Sequence, residues 1–279
     1  SIKSTTGNNL TSTEKQNLIS DLERYKVASI TPVIVDPDIT KVILTVKYKY
    51  NSSLTTKTST ELTSDILTNI RNYNTNDLVN FGSPFRHSEV SGIIDNTNPA
   101  ILSNITNINL TTNIAPTTLG ASQFYNIYFN NALYNPHTGH NSDHGGILSS
   151  TGFKISGDTT NVYYFDDDGS GNLRTYRLEG TSRVIKDSVA GTINYSTGEI
   201  KINSINIISI EKVDGEDSTV IRLSVIPDSR DIIPVRNQIL EIDFINTTIV
   251  GEIDTIATGD TGSSGTYVTN SGYSTNTAF

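Results

Sequence analysis

Three of the four histidines, His137, His140 and His144, fall within eight residues, with Asp143 between them. Three imidazoles and a carboxylate are the donor set of an open zinc site. The spacing fits no helix, however, and Pro136, Gly139 and Gly145 break the stretch. A surface loop whose histidines pack or hydrogen-bond is the favoured reading of the stretch. A second cluster, Asp166, Asp168, Ser170 and Gly171, imitates the start of an EF-hand loop. Its twelfth position is Arg177, where calcium needs a bidentate glutamate, and its flanks read as strands. Aspartates that bond their own backbone make the same sequence a turn.

The other chemistry-bearing residues form no recognisable constellation. Glu211/Asp214 and Glu241/Asp243 are carboxylate pairs, but glycoside hydrolysis needs two carboxyls at a set separation in a cleft. His87 lies near Glu89, yet no G-x-S-x-G elbow anchors a triad. No G-x-G-x-x-G or Walker pattern occurs; Gly169-Ser170-Gly171 is a hairpin tip. The residues assign no catalytic, cofactor-binding or metal site, and no enzymatic activity.

The elements that would position these groups are legible. Val42, Leu44, Val46, Tyr48 and Tyr50 alternate with Lys41, Thr45, Lys47 and Lys49, with Ile43 the only break. That is a strand with one dry face and one wet face. Asp36-Pro37-Asp38 before it is a turn, preceded by a strand from Val27 in which Pro32 removes a ladder donor. Thr11-x-x-Glu14 and Thr58-x-x-Glu61 are capping boxes. The first opens a helix carrying Leu18, Ile19, Leu22 and Tyr25. The second opens one striped by Leu62, Ile66, Leu67 and Ile70 and ended by Asn72 to Asp77. Ser83-Pro84 reads as the start of a third helix with Phe85, Glu89 and Ile93 on one face. Ile108, Leu110, Thr112 and Ile114 alternate as a strand.

Residues 115–146 read as a crossover and long loop, in which Phe124–Phe129 is aromatic enough for a strand. From Ile147 the pattern is all-β. Val162–Phe165 and Leu173–Leu178 flank one hairpin loop. Thr192–Tyr195 and Glu199–Ile202 flank Ser196-Thr197-Gly198, and Ile207–Lys212 and Thr219–Ile226 flank a third turn. Ile232–Phe244 and Thr247–Ile253 complete the set. The fold class expected is α+β: a helix-strand-strand-helix-helix-strand domain over 11–114, then an antiparallel sandwich or barrel-like domain over 147–256. Residues 257–279 form a Gly/Ser/Thr tail.

Composition narrows the function classes. The net charge is −9, with no basic run, which argues against nucleic acid as a partner. No stretch is long and apolar enough to span a membrane, and no apolar leader precedes residue 11. Cysteine is absent, so disulfides and thiolate metal sites are excluded. Methionine is absent even at position 1, so the chain reads as a piece of a longer protein or as one processed at its N-terminus.

The segments PVIVDPDITKVILTVKYKYN and LTSDILTNIRNYNTNDLVNFGSPFRHSEVSGIIDNTNPAILSNITNINL resemble the baseplate J-like family. More closely, they are similar to the C-terminal part of the wedge subunits of T-even-like contractile-tailed phages. YNPHTGH, YYFDDDGSGNLRTY, GTINYSTGEIKI and IIPVRNQIL follow in the same order, so the resemblance covers most of 12–250. It implies a structural subunit of the virion tail baseplate, assembled in host cytoplasm. Such a subunit would associate with itself, as a homodimer or ring, and with other wedge proteins around the tail hub. It implies no catalytic residues and no cofactor. A receptor- or glycan-binding tail module is the alternative. Interface work would fall to aromatic side chains, for which Tyr48, Tyr50, Phe124, Tyr125, Tyr128 and Phe129 are candidates. Ordinary core packing is the competing reading of each.

Overall fold

The computed structural model describes residues 10–25, 34, 37–139, 146–213 and 215–255. Both capping boxes form. Thr11 accepts from the Glu14 N–H and the Glu14 carboxylate accepts from the Thr11 N–H, opening α1 (Ser12–Glu23). Thr58 and Glu61 do the same for α2 (Ser59–Tyr73). In both cases two N–H groups that the helix cannot use find oxygen partners. The apolar stripe of α2 is realised as Leu62, Ile66 and Ile70, all buried. The stripe of α1 is not: no residue of α1 is buried.

β1 (Asp38–Tyr50) keeps the alternation read from the sequence. Val42, Leu44, Val46, Tyr48 and Tyr50 are buried while Thr45, Lys47 and Lys49 are exposed. The strand expected from Val27, and Asp36 of the turn, lie almost wholly outside the described residues. After α2 a π-helical turn (Asn74–Leu78) follows. The third helix, α3 (His87–Asp95), begins later than Ser83-Pro84 suggested. Phe85 is not on it; its backbone pairs with Ile232 in a short bridge, and the helix buries Val90 and Ile94 instead. A proline-led start lost to a β-bridge that satisfies the Phe85 N–H and C=O together. β2 (Ile101–Ile114) is longer than expected and shifts phase near its end, where Leu110 and Thr111 are both buried.

The remaining strands are β3 (Ser122–Tyr128), β4 (Leu148–Ser150), β5 (Phe153–Ile155), β6 (Asp158–Asp167), β7 (Asn172–Glu179), β8 (Ser182–Asn194), β9 (Glu199–Ile210), β10 (Ile221–Val225), β11 (Gln238–Ile242) and β12 (Thr248–Ile253). The architecture is thus a helix-and-strand region followed by a mostly β region, the α+β class expected.

The chain divides into two compact units. One is formed by the described residues of Ser1–Lys41, Leu78–Phe85 and Leu110–Glu241; the other by those of Val42–Asp77, Arg86–Asn109 and Ile242–Phe279. In the second unit β1 lies between β2 and the parallel β12, with Tyr48 opposite Gly251. α2 covers the dry face, and the Tyr48 hydroxyl donates to the Ser59 carbonyl at 2.8 Å. In the first unit five antiparallel strands, β5 to β9, close into a barrel, and β3 pairs alongside β9. Phe153, Tyr163, Phe165, Leu173, Ile193, Ile200 and Ile202 are buried there. The hairpins β6–β7 and β8–β9 match the turns read from the sequence.

The third expected hairpin does not form. β10 pairs antiparallel with β2 and β4, not with β9. Its turn residues redirect the chain from the barrel to another sheet. Among the described residues, the small bridge Val213–Glu216 is what remains of that turn.

Candidate functional site

The aspartate-rich hairpin tip and the histidine loop meet. The Gly139 N–H donates to the Gly169 carbonyl at 3.0 Å, and the Asn135 amide donates to the same oxygen at 3.3 Å. At the far end of the loop the Leu148 N–H donates to Asp167 Oδ1 at 2.9 Å. A Cβ on Gly146 would fall 1.4 Å from that same oxygen, so only glycine lets the backbone pass there. The loop is therefore pinned to the β6–β7 hairpin at both ends.

The three aspartates of the tip have separate structural tasks. Asp166 is 1% exposed and holds Arg174 bidentately, at 3.0 Å to each oxygen, and Arg183 at 2.8 Å. The Arg183 guanidinium also lies 4.6 Å from the Tyr176 ring centroid. Asp167 is fully buried and accepts from the Leu148 N–H, the Gly169 N–H and, at 2.6 Å, the Tyr195 hydroxyl. Burial, then that bond to a carboxylate, pushes the Tyr195 phenol well above its ordinary range. Asp168 accepts from the Ser170 and Asn172 N–H groups and the Asn172 amide. Burial pulls its pKa up, but these bonds outweigh it and leave the carboxyl below its usual value.

This arrangement does not fit a calcium loop. Both oxygens of Asp166 face guanidinium groups, and Arg177, at the twelfth position, pairs with Glu179. A cation there would meet two arginines. Of the histidine cluster only His137 is described, its Nδ1 at 3.3 Å from the Thr138 carbonyl oxygen; His140, Asp143 and His144 lie outside the described residues. Among the described residues, no three of His, Cys, Asp and Glu are grouped to hold a metal. His87 Nε2–H donates to the Thr106 carbonyl at 2.9 Å, fixing α3 against β2. Glu211 faces Lys154, Asp243 closes a turn through Ile245 and Asn246, and Asp214 is outside the described residues. His87, Glu211 and Asp243 thus serve a helix–strand contact, an ion pair and a turn.

The aromatic candidates separate into two sets. Tyr48, Tyr50 and Phe129 are buried at 1%, 6% and 0% exposure, so they are core. Phe124 and Tyr128 are 75% and 52% exposed and project from the same face of β3, with Asn126 between them. Tyr125 is half-buried on the opposite face. β9 supplies Lys201 opposite Asn126 and Glu199 opposite Tyr128, and these two form an ion pair at 3.1 Å. The outer face of β3 and β9 is therefore an aromatic and amide platform beside one balanced charge pair. The sequence reading omitted Asn126, although strict alternation from Phe124 puts it on that face.

The second unit has its own open face. Lys47 and Lys49 of β1 stand beside Val250 and Glu252 of β12, and Val250 is 50% exposed. Ile105, 64% exposed, projects from β2 in phase opposite to the buried Thr106 and Ile108. The expected strand began only at Ile108, so Ile105 was passed over. Neither face has the convergent polar groups of a catalytic pocket. Both carry exposed apolar side chains among the described residues.

No curated protein matches the chain. Residues 39–113, about a quarter of its length and the whole run from β1 through α2 and α3 to β2, match the family model for baseplate structural protein gp6, C-terminal domain III. Over those residues the chain is similar to a structural domain of the bacteriophage tail baseplate, and its place is in the virion.

Proposed function

We propose that this chain is the C-terminal part of a baseplate wedge subunit of a contractile phage tail, of the baseplate J-like kind. It associates with itself and with other wedge proteins to build the ring around the tail hub. The observation that carries this reading is the match over 39–113. The ordered sequence blocks on either side extend the same resemblance over 12–250. Among the described residues, exposed apolar side chains on strands of each unit, Phe124 and Tyr128 in one and Ile105 and Val250 in the other, support such contacts. The protein acts through interfaces rather than by transforming a substrate: Glu61 serves a helix cap, Asp166 two arginines and Asp243 a turn. Its net charge of −9 sets it against nucleic acid as a partner.

Co-expression with the other wedge subunits, followed by size-exclusion chromatography with light scattering, tests the reading. The expected result is a dimer or larger species alone and a stable mixed complex with wedge partners. A chain that stays monomeric at high concentration and binds none of them overturns it.

A further inference from the structure

Among the described residues β3 has one unpaired edge, and its sequence is complementary to itself. Among the described residues β3 pairs with β9 alone. The Phe129 N–H, just past the strand, donates to the Gly198 carbonyl at the head of β9. In a regular strand N–H groups alternate sides, so Tyr125 and Ile127 also face β9. The N–H groups of Phe124, Asn126 and Tyr128 and the C=O groups of Phe124 and Asn126 then face the open edge, where the Tyr128 C=O accepts from the Asn130 side-chain amide at 3.5 Å. The register shift near Phe124 puts the extra residue on β9, since Gln123 pairs with Ile205 and Tyr125 with Ile202. β3 therefore keeps its own alternation to the end.

Edge strands of monomeric proteins are blunted by a lysine, a proline, a bulge or an inward charge. SQFYNIY has none of these. Read about Asn126, it is nearly a palindrome: Phe124 mirrors Tyr128 and Tyr125 mirrors Ile127. An antiparallel pair related by a two-fold axis at Asn126 sets Phe124 of one copy opposite Tyr128 of the other, twice. Cross-strand aromatic pairs of this kind are among the more stabilising. Asn126 would meet Asn126 as a hydrogen-bonded pair, exchanging both backbone bonds. A symmetric dimer needs this kind of self-complementary patch.

We infer that the β3 edge is a self-association site, at which two copies of this chain join antiparallel through Phe124, Asn126 and Tyr128. This rests on the self-association proposed above and assigns it a surface and a register. The second copy, rather than an unrelated strand, is the occupant because the mirror relation serves only an identical partner.

The chain has no cysteine, so a single introduced thiol reports cleanly. Asn126→Cys in the full chain, treated with a mild oxidant or a short bis-thiol linker, should give a covalent dimer. Phe124→Cys alone should not, because its two thiols would stand about 13 Å apart along the strands. A mixture of Phe124→Cys and Tyr128→Cys should link. Asn126→Lys should weaken dimerisation at least tenfold while leaving the circular dichroism spectrum unchanged. Dimers that light scattering detects but Asn126→Cys fails to trap would place self-association elsewhere; the edge assignment then falls and the assembly role stands. A chain monomeric at all concentrations overturns both. Glycan-array binding lost in Phe124→Ala, with the chain monomeric, would overturn the edge assignment in favour of sugar recognition.

Discussion

The phenol of Tyr48 lies against the backbone of Gly251. A Cβ added to Gly251 would stand 2.4 Å from both Cζ and Oη of Tyr48. The tyrosine cannot swing aside freely, because its hydroxyl donates to the Ser59 carbonyl at 2.8 Å and sits 3.0 Å from Thr63 Oγ1. Burial raises its pKa, with the Thr63 bond partly opposing. One ring thus ties β1, β12 and the first turn of α2 together. Gly251→Ala should destabilise the protein by about 1–3 kcal/mol through overpacking. Thermal denaturation checks this, and the added loss should largely vanish when Tyr48→Val is also present. An undiminished loss in the double variant would mean that the glycine matters for its backbone freedom instead.

Asp166 neutralises two arginines in a nearly buried setting. The Arg174 side chain is 11% exposed and that of Arg183 is 36% exposed. Asp166→Asn keeps the shape but removes the charge, leaving Arg174 charged without its counter-ion. Breaking one side of a buried pair costs about 3–5 kcal/mol. Urea denaturation should show a loss in the upper part of that range if Arg174 stays in place. A loss below about 1 kcal/mol would mean that Arg174 turns out to solvent at little cost.

How far the sequence reaches is clearest in β1 and in the hairpins. A local alternation of five apolar residues with three lysines and a threonine marks the buried face of β1 from Val42 to Tyr50, while Thr40, buried on the same face, lies outside that pattern. Capping boxes gave two helix starts, because both partners lie within three residues. Non-local competition decided the rest. Phe85 left its expected helix for a bridge to Ile232, which no window around Phe85 contains. The turn near Val213 was correctly read as a turn, but the partner of β10 lay more than a hundred residues upstream in β2. Of the candidate anchors, Phe124 and Phe129 look alike in sequence. Phe129 is buried and Phe124 exposed because β3 shows one face to the barrel and one outward.

Thr111 offers a change that should stabilise. Its side chain is 1% exposed, and its hydroxyl oxygen has no hydrogen-bond partner among the described residues. A buried hydroxyl without a partner forfeits its bonds to water. Thr111→Val has nearly the same shape and removes that cost. The expected gain is about 1 kcal/mol, read as a rise in the urea midpoint at unchanged slope. A loss of similar size would show that an ordered water serves the hydroxyl.

Asp158 should govern part of the acid limb of stability. It opens β6 and accepts from the Tyr163 hydroxyl at 2.6 Å, the Asn161 amide at 2.8 Å, and the N–H groups of Asn161 and Thr160. The Tyr163 bond is the largest cause of a strong downward shift, followed by the Asn161 bonds, and the folded pKa lies far below the ordinary carboxylate value. A carboxyl depressed on folding binds its proton more readily in the unfolded chain. Its stabilising contribution is therefore complete above about pH 4, the unfolded value, and drains as the pH falls toward the folded one. Asp158→Asn removes this dependence, so wild type and variant should differ most near neutrality and converge in acid. Tyr163→Phe should flatten the same limb part-way, since it takes away the leading donor and leaves Asn161 in place. Urea titrations from pH 7 down to pH 2 read both effects. A gap between wild type and Asp158→Asn that stays constant over that range would assign the carboxylate no linked proton.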